Sequence, residues 1–324
     1  MCKGGVRVPR FRAAARLCGL AAALLLAACG GPAAAASGAA AAAPPTAAPT
    51  VPGTTGGGYT APPLQLSPFD AAAAVGENGV LIDASSVAQG YVAASAVNDN
   101  RLKFQVVYGE SKYNYDLPGD GTPQSFPLQS GDGSYTFRVM QNTTADKYIE
   151  ICSFTADVQL ESEFAPFLRP SQFVDYTQDS ACVALAANLA AEASGEAGAV
   201  ANIYAYIRDH IAYDRDKAAT VQSGYLPDPD ATLAAGKGIC FDYAALAAAM
   251  LRSQGIPTKL ITGYVSQGEL YHAWNMIWLE ETGWITVQIE APAHAWERID
   301  LTFAAGAPGE YTGDGTDYTD RLTY

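Results

Sequence analysis

Gly236-Lys237-Gly238-Ile239-Cys240-Phe241-Asp242-Tyr243-Ala244 opens the stretch whose reading decides the fold. The chain then stays Ala-rich to Gln254, with Leu246 and Met250 on one helical face, and Gly255 followed by Pro257 marks a stop. This pattern predicts a helix over 241–254, with Cys240 at or just before its N-terminus. A thiol there sees the positive end of the aligned peptide dipoles and unpaired amide donors, which favour thiolate and lower its pKa from about 8.5. Gly238 would let the chain approach a substrate closely. On its own, Cys240 favours a buried thiol behind a glycine turn.

Outward from this helix the periodicity changes character on each side. Downstream it is that of strands: 260–265, 271–279, 284–289 and a shorter run over 296–303, with Thr282-Gly283 and Ala291-Pro292 as breaks. Upstream it is helical. Asp179-Ser180 is a candidate N-cap, and Val200, Ile203, Tyr204, Ile207 and Ile211 form a core-facing stripe. Helices followed by adjacent strands imply an α+β domain over 165–324. Over 67–164 every second residue is apolar in several runs, among them Leu102, Phe104, Val106 and Tyr108, and Tyr135, Phe137 and Val139. Gly, Asp and Pro separate these runs, which suggests a small accessory β-sandwich ahead of the α+β domain.

Gly238-Ile239-Cys240-Phe241-Asp242-Tyr243-Ala244, then Gly255-Ile256-Pro257-Thr258, Gly263-Tyr264 and His272-Ala273-Trp274, occur in order and at sensible spacing. Together they resemble the core of the transglutaminase-like superfamily over about the last 150 residues. The resemblance implies a papain-like cysteine domain: a Cys heading a helix, a His on a following strand, and an Asp on the next strand. Cys240 thiolate would then attack a carboxamide or peptide carbonyl. His272 would be its ion-pair partner and the acid for the departing amine, with a thioester as intermediate. The third group fixes the imidazole tautomer.

The third position departs from the family pattern. A Trp-x-x-x-Asp-Pro-Thr arrangement is expected, and the window from Trp284 puts Gln288 at the Asp position. The window from Trp296 restores Trp-x-x-x-Asp-x-Thr with Asp300, which makes Asp300 the preferred orienter and leaves Glu290 and Gln288 as alternatives. Gln222 and Tyr225, upstream of Cys240, are candidates for an oxyanion donor, and Trp274 for lining a cleft. His210 and His294 read as structural or exposed residues. No His or Cys pair has zinc-ligand spacing, Asp228 and Asp230 among prolines read as a turn, and the chemistry requires no metal or cofactor.

The beginning of the chain bears on compartment. Lys3, Arg7, Arg10, Arg12 and Arg16 precede an apolar run over 17–28 that is too short to span a bilayer. The run ends in Leu26-Ala27-Ala28-Cys29, which looks like the lipobox of bacterial lipoprotein precursors. This resemblance implies a signal peptide over 1–28, lipidation of Cys29, and anchoring at the extracellular face of the cell membrane. Residues 29–66, rich in Ala, Pro, Gly and Thr, then read as a flexible tether. Removing the leader takes five of the 19 basic residues and none of the 33 acidic ones, leaving a formal charge of −19. Such a surface argues against nucleic acid as a partner. After processing and acylation three cysteines remain, Cys152, Cys182 and Cys240; the first two form either a disulfide or separate core thiols.

The resulting expectation is an extracellular, lipid-anchored cysteine acyltransferase, protease or amidase acting on protein or peptide substrates, such as cell-wall or surface proteins. The alternative is a non-catalytic surface binding module that retains the fold. A third reading makes residues 67–164 the working part, as an adhesive or wall-binding domain.

Overall fold

The computed structural model describes residues 58–265, 270–287 and 318–324. Its first part consists of seven strands: β1 (Val80–Asp83), β2 (Tyr91–Ala96), β3 (Leu102–Tyr108), β4 (Ser111–Leu117), β5 (Gln124–Pro127), β6 (Gly133–Thr144) and β7 (Lys147–Val158). They form two antiparallel sheets, β1-β2-β5 and β4-β3-β6-β7. The alternation along β3 is the cause of its placement: Leu102, Phe104 and Val106 are buried while Lys103 and Gln105 are half-buried. Phe104 stacks on Phe126 of the other sheet, ring centroids 4.2 Å apart, so the two inner faces close on each other as a sandwich. Cys152 and Cys182 are both buried free thiols.

The helices follow: α1 (Ala181–Ala191), α2 (Gly195–His210), α3 (Arg215–Thr220), α4 (Pro229–Ala235) and α5 (Cys240–Ser253). Two short parallel strands, β8 (Ala212–Tyr213) and β9 (Lys237–Gly238), bind the segment before α3 to the one before α5. After α5 come β10 (Thr258–Val265), β11 (Leu270–Leu279), β12 (Gly283–Val287) and β13 (Tyr318–Thr323), in one antiparallel sheet ordered β12-β11-β10-β13. Helices followed by an antiparallel sheet, preceded by a sheet-rich region, form a mixed architecture consistent with a papain-like fold. The strand expected over 296–303 lies outside the described residues.

From Asp242 to Ser253 every residue of α5 is buried. Its alanines explain how this is possible. Ala244, Ala245, Ala247, Ala248 and Ala249 have no bulk to hold neighbours away, so α1, α2, α4 and the sheet pack against it on several sides. Leu246, Met250 and Leu251 fill the remaining gaps, each burial stabilising by roughly 1.5–3 kcal/mol. Among the described residues, buried apolar side chains form one continuous core from the sandwich through the helices to the sheet around β11. At the seam, fully buried Arg252 donates to the carbonyls of Thr258 (2.8 Å), Arg169 (2.9 Å) and Tyr324 (2.9 Å). Residues 58–66, the end of the segment read as a tether, lie against this body: the Tyr59 amide donates to Ala193 O and its hydroxyl to Gln254 O.

Candidate functional site

Cys240 is the first residue of α5, as the glycine turn and the Ala-rich run predict, and it is partly exposed. A Cβ at Gly238 would lie 2.7 Å from the Cβ of Asp242, so the glycine makes room for that side chain. Asp242, at the third helical position, is fully buried and accepts a hydrogen bond from the Ile239 amide at 2.8 Å. This is the carboxylate half of a capping box, and it satisfies one of the donors orphaned at the helix start.

The lowered thiol pKa expected for Cys240 is not found. Burial pushes the thiol above its ordinary value, and this outweighs the backbone amides of Ala273 and Phe241, which work in the opposite direction. Burial likewise pushes the His272 imidazole below its ordinary value. Both shifts favour the neutral thiol and the neutral imidazole over the ion pair anticipated from sequence. Physically, α5 packs its first turn against β11, and that contact removes the water an ion pair would need.

The amide of Ala273 reaches the Cys240 sulfur, and His272 is the preceding residue of β11. His272 pairs with Gly263 of β10, and its ring lies nearly parallel to that of buried Trp274, centroids 6.4 Å apart. The Nε2 atom of His272 is buried with no hydrogen-bond partner among the described residues. Gln288, Glu290 and Asp300 all lie outside the described residues, as does Cys29. Trp274 lines, with Cys240, Tyr243, Ala273 and Asn275, a cavity of about 10 Å³, room for one water molecule.

Neither oxyanion candidate is placed as a free donor. Gln222 is exposed, and its amide turns back to donate to Thr220 O at 2.8 Å. The hydroxyl of Tyr225 donates to Asp242 Oδ1 at 2.6 Å and accepts from Lys217 Nζ at 2.6 Å. Lys217 also reaches Asp242 Oδ2 at 2.7 Å.

Two groups around the site carry no signal in the sequence reading. Asn275, buried on β11, donates to Ala244 O at 3.0 Å and Lys259 O at 3.3 Å and accepts from the Tyr204 hydroxyl at 2.9 Å. It joins α5, β10, β11 and α2 beneath the thiol, so it fixes the helix against the strand that carries His272. Tyr213 of β8 is the second: it pairs with Gly238, and the thiol's charge contributes to raising its pKa after burial.

Comparison with known proteins agrees with this geometry at the level of family. Residues 183–289 match the transglutaminase-like superfamily. None of the curated proteins matches the chain. Among 23 matching solved chains, a provisionally assigned cysteine protease from Cytophaga hutchinsonii is 17% identical, with a TM-score of 0.35, covering 66% of this chain and 78% of that one. A provisionally assigned protease from Parabacteroides distasonis is 16% identical, with a TM-score of 0.29, covering 61% of this chain and 39% of that one. The match therefore takes in less than half of the second protein.

Proposed function

Since residues 183–289 match the transglutaminase-like superfamily, we propose that the protein is a cysteine acyl-transfer enzyme acting on carboxamide or peptide groups, with Cys240 as nucleophile and His272 as its base. One observation carries this reading: the thiol heading α5 is met by the backbone amide of the residue next to His272. As Cys240 sulfur forms its bond to the carbonyl carbon, His272 takes the thiol proton. The carbon–nitrogen bond then breaks, and the imidazolium returns that proton to the departing ammonia or amine. An incoming amine or water attacks the thioester, loses its proton to His272, and frees the sulfur. Asp300 is the proposed orienter of the imidazole, supplying an acceptor for a ring nitrogen.

Incorporation of a fluorescent amine into casein tests the reading, with glutamate formation and chain cleavage followed in parallel. Cys240→Ala should abolish whichever product wild type makes, and Asp300→Ala should reduce it; undiminished turnover in Asp300→Ala removes that residue from the triad. The raised thiol pKa favours the rival reading, a binding module that keeps the fold without turnover. No product of any kind from wild type across a panel of proteins and peptides would favour that rival.

The proposed setting is the extracellular face of a bacterial membrane, with Cys29 lipidated and a protein or peptide substrate on the cell surface. Cys29→Ser should move the protein from the membrane fraction to the soluble fraction. If it remains with the membrane, the anchor assignment is wrong.

A further inference from the structure

The cluster around Asp242 contains more than a helix cap requires. A capping carboxylate on a solvent-facing first turn needs no cation, yet here a lysine and a tyrosine from the preceding segment converge on it. Lys217, in the last turn of α3, contacts Asp242 Oδ2 at 2.7 Å, and its ammonium stands 4.3 Å from the centre of the Tyr225 ring. Tyr225 holds Oδ1. Asp242 is fully buried, while Lys217 and Tyr225 are only half-buried and belong to the largely exposed stretch formed by α3 and the segment that follows it.

We infer that Lys217 and Tyr225 are positioning residues for the nucleophile: they clasp Asp242, cancel its negative charge beside Cys240, and hold the turn over 238–240 in place. The inference rests on Cys240 being the nucleophile. It follows from the placement of charge. Asp242 is two residues from Cys240 on the same helix start, and its charge opposes formation of the thiolate. Left unpaired, that carboxylate would act on the thiol at full strength in a site with little water to screen it.

The titratable groups around Cys240 are Asp242 and Tyr243 on α5 and Tyr213 on β8, with His272 on β11 next to Ala273, whose amide meets the thiol. Lys237, the nearest cation in sequence, is paired with Asp214 at 2.9 Å and is not directed at Asp242. Lys217 is thus the cation in contact with the Asp242 carboxylate among the described residues. Burial works to lower the Lys217 pKa, and the hydrogen bonds to Asp242 and Tyr225 more than reverse this, so the ammonium stays charged over the working pH range.

The pH dependence of Cys240 alkylation by iodoacetamide, followed by peptide-mapped mass spectrometry on the full chain, tests the inference. Lys217→Met should raise the midpoint by about one pH unit, a roughly tenfold loss of rate below it. Lys217→Arg should restore the midpoint, Asp242→Asn should lower it, and the Lys217→Met/Asp242→Asn pair should return it close to wild type. A folded Lys217→Met with an unmoved midpoint overturns the inference, because a purely structural clasp changes the melting temperature and not the titration. Should Lys217→Met fail to fold, an unmoved midpoint in Asp242→Asn overturns it instead. These midpoints are read without turnover. A failure of the nucleophile assignment shows separately, as amine incorporation that survives Cys240→Ala.

Discussion

At Cys240 burial and the backbone amides pull in opposite directions and burial wins, while at His272 burial acts alone. The thiol is raised and the imidazole lowered, which fixes the sign of the pH dependence. His272 can accept a proton only above its depressed pKa, and Cys240 retains the proton it must give until its raised pKa is passed. The competent pair thus exists across a plateau that starts below pH about 6.5 and extends beyond pH about 8.5. A kcat/KM profile should be flat between those limits. An acid limb centred above pH 7, or a fall already complete by pH 8, would contradict the neutral-pair description. The place of Cys240 was legible from neighbours in sequence, since glycines before it and a helix after it are local signals. Its titration was not, because the strand that buries it is contributed by a later part of the chain.

At the scale of elements, the contact between α5 and β11 decides whether thiol and imidazole meet, and Asn275 is its main polar fastening. Replacing Asn275 with Leu keeps the number of side-chain heavy atoms but leaves the Tyr204 hydroxyl without its acceptor and takes one donor from each of the Ala244 and Lys259 carbonyls. Unmet buried groups of this kind cost about 1–3 kcal/mol each. Asn275→Leu should therefore lower unfolding stability by about 1–3 kcal/mol in a urea titration, and a loss under about 0.5 kcal/mol would show that the bonds contribute little. The helix itself was readable because Gly255 and Pro257 end it, and β3, β10 and β11 were readable because their periods are clean. The cap of α1 was not: Ser180 occupies the N-cap without a side-chain bond, while Asp230, far along the chain, accepts from the amides of Ala181 and Cys182. A distant carboxylate at a helix start leaves no local pattern to read.

For the molecule as a whole, the order of element types was legible, and the way its parts join was not. Alternation marks a strand without saying which sheet face will meet which helix, so the role of Arg252 is visible only in the fold. Burial lowers its pKa to about 10, and it stays charged at neutral pH with three carbonyls as its acceptors. Arg252→Met would take the guanidinium donors from those carbonyls, with Tyr324 O still accepting from the Leu260 amide, at the seam between the strands after α5 and the segment leading from the sandwich. A loss of about 3–5 kcal/mol is expected, and Arg252→Lys should recover only part of it, since an ammonium cannot aim donors along the guanidinium's fixed directions. Full recovery with Lys would mean that charge alone matters there.

The joined core places one partly exposed thiol at a helix head, met by the backbone amide of the residue next to His272, and the functional reading depends on that thiol. Amine incorporation into casein, with deamidation and cleavage scored alongside, should give a product with wild type and none with a folded Cys240→Ala variant. Product formed by Cys240→Ala at the wild-type rate would contradict the assignment of Cys240 as the nucleophile.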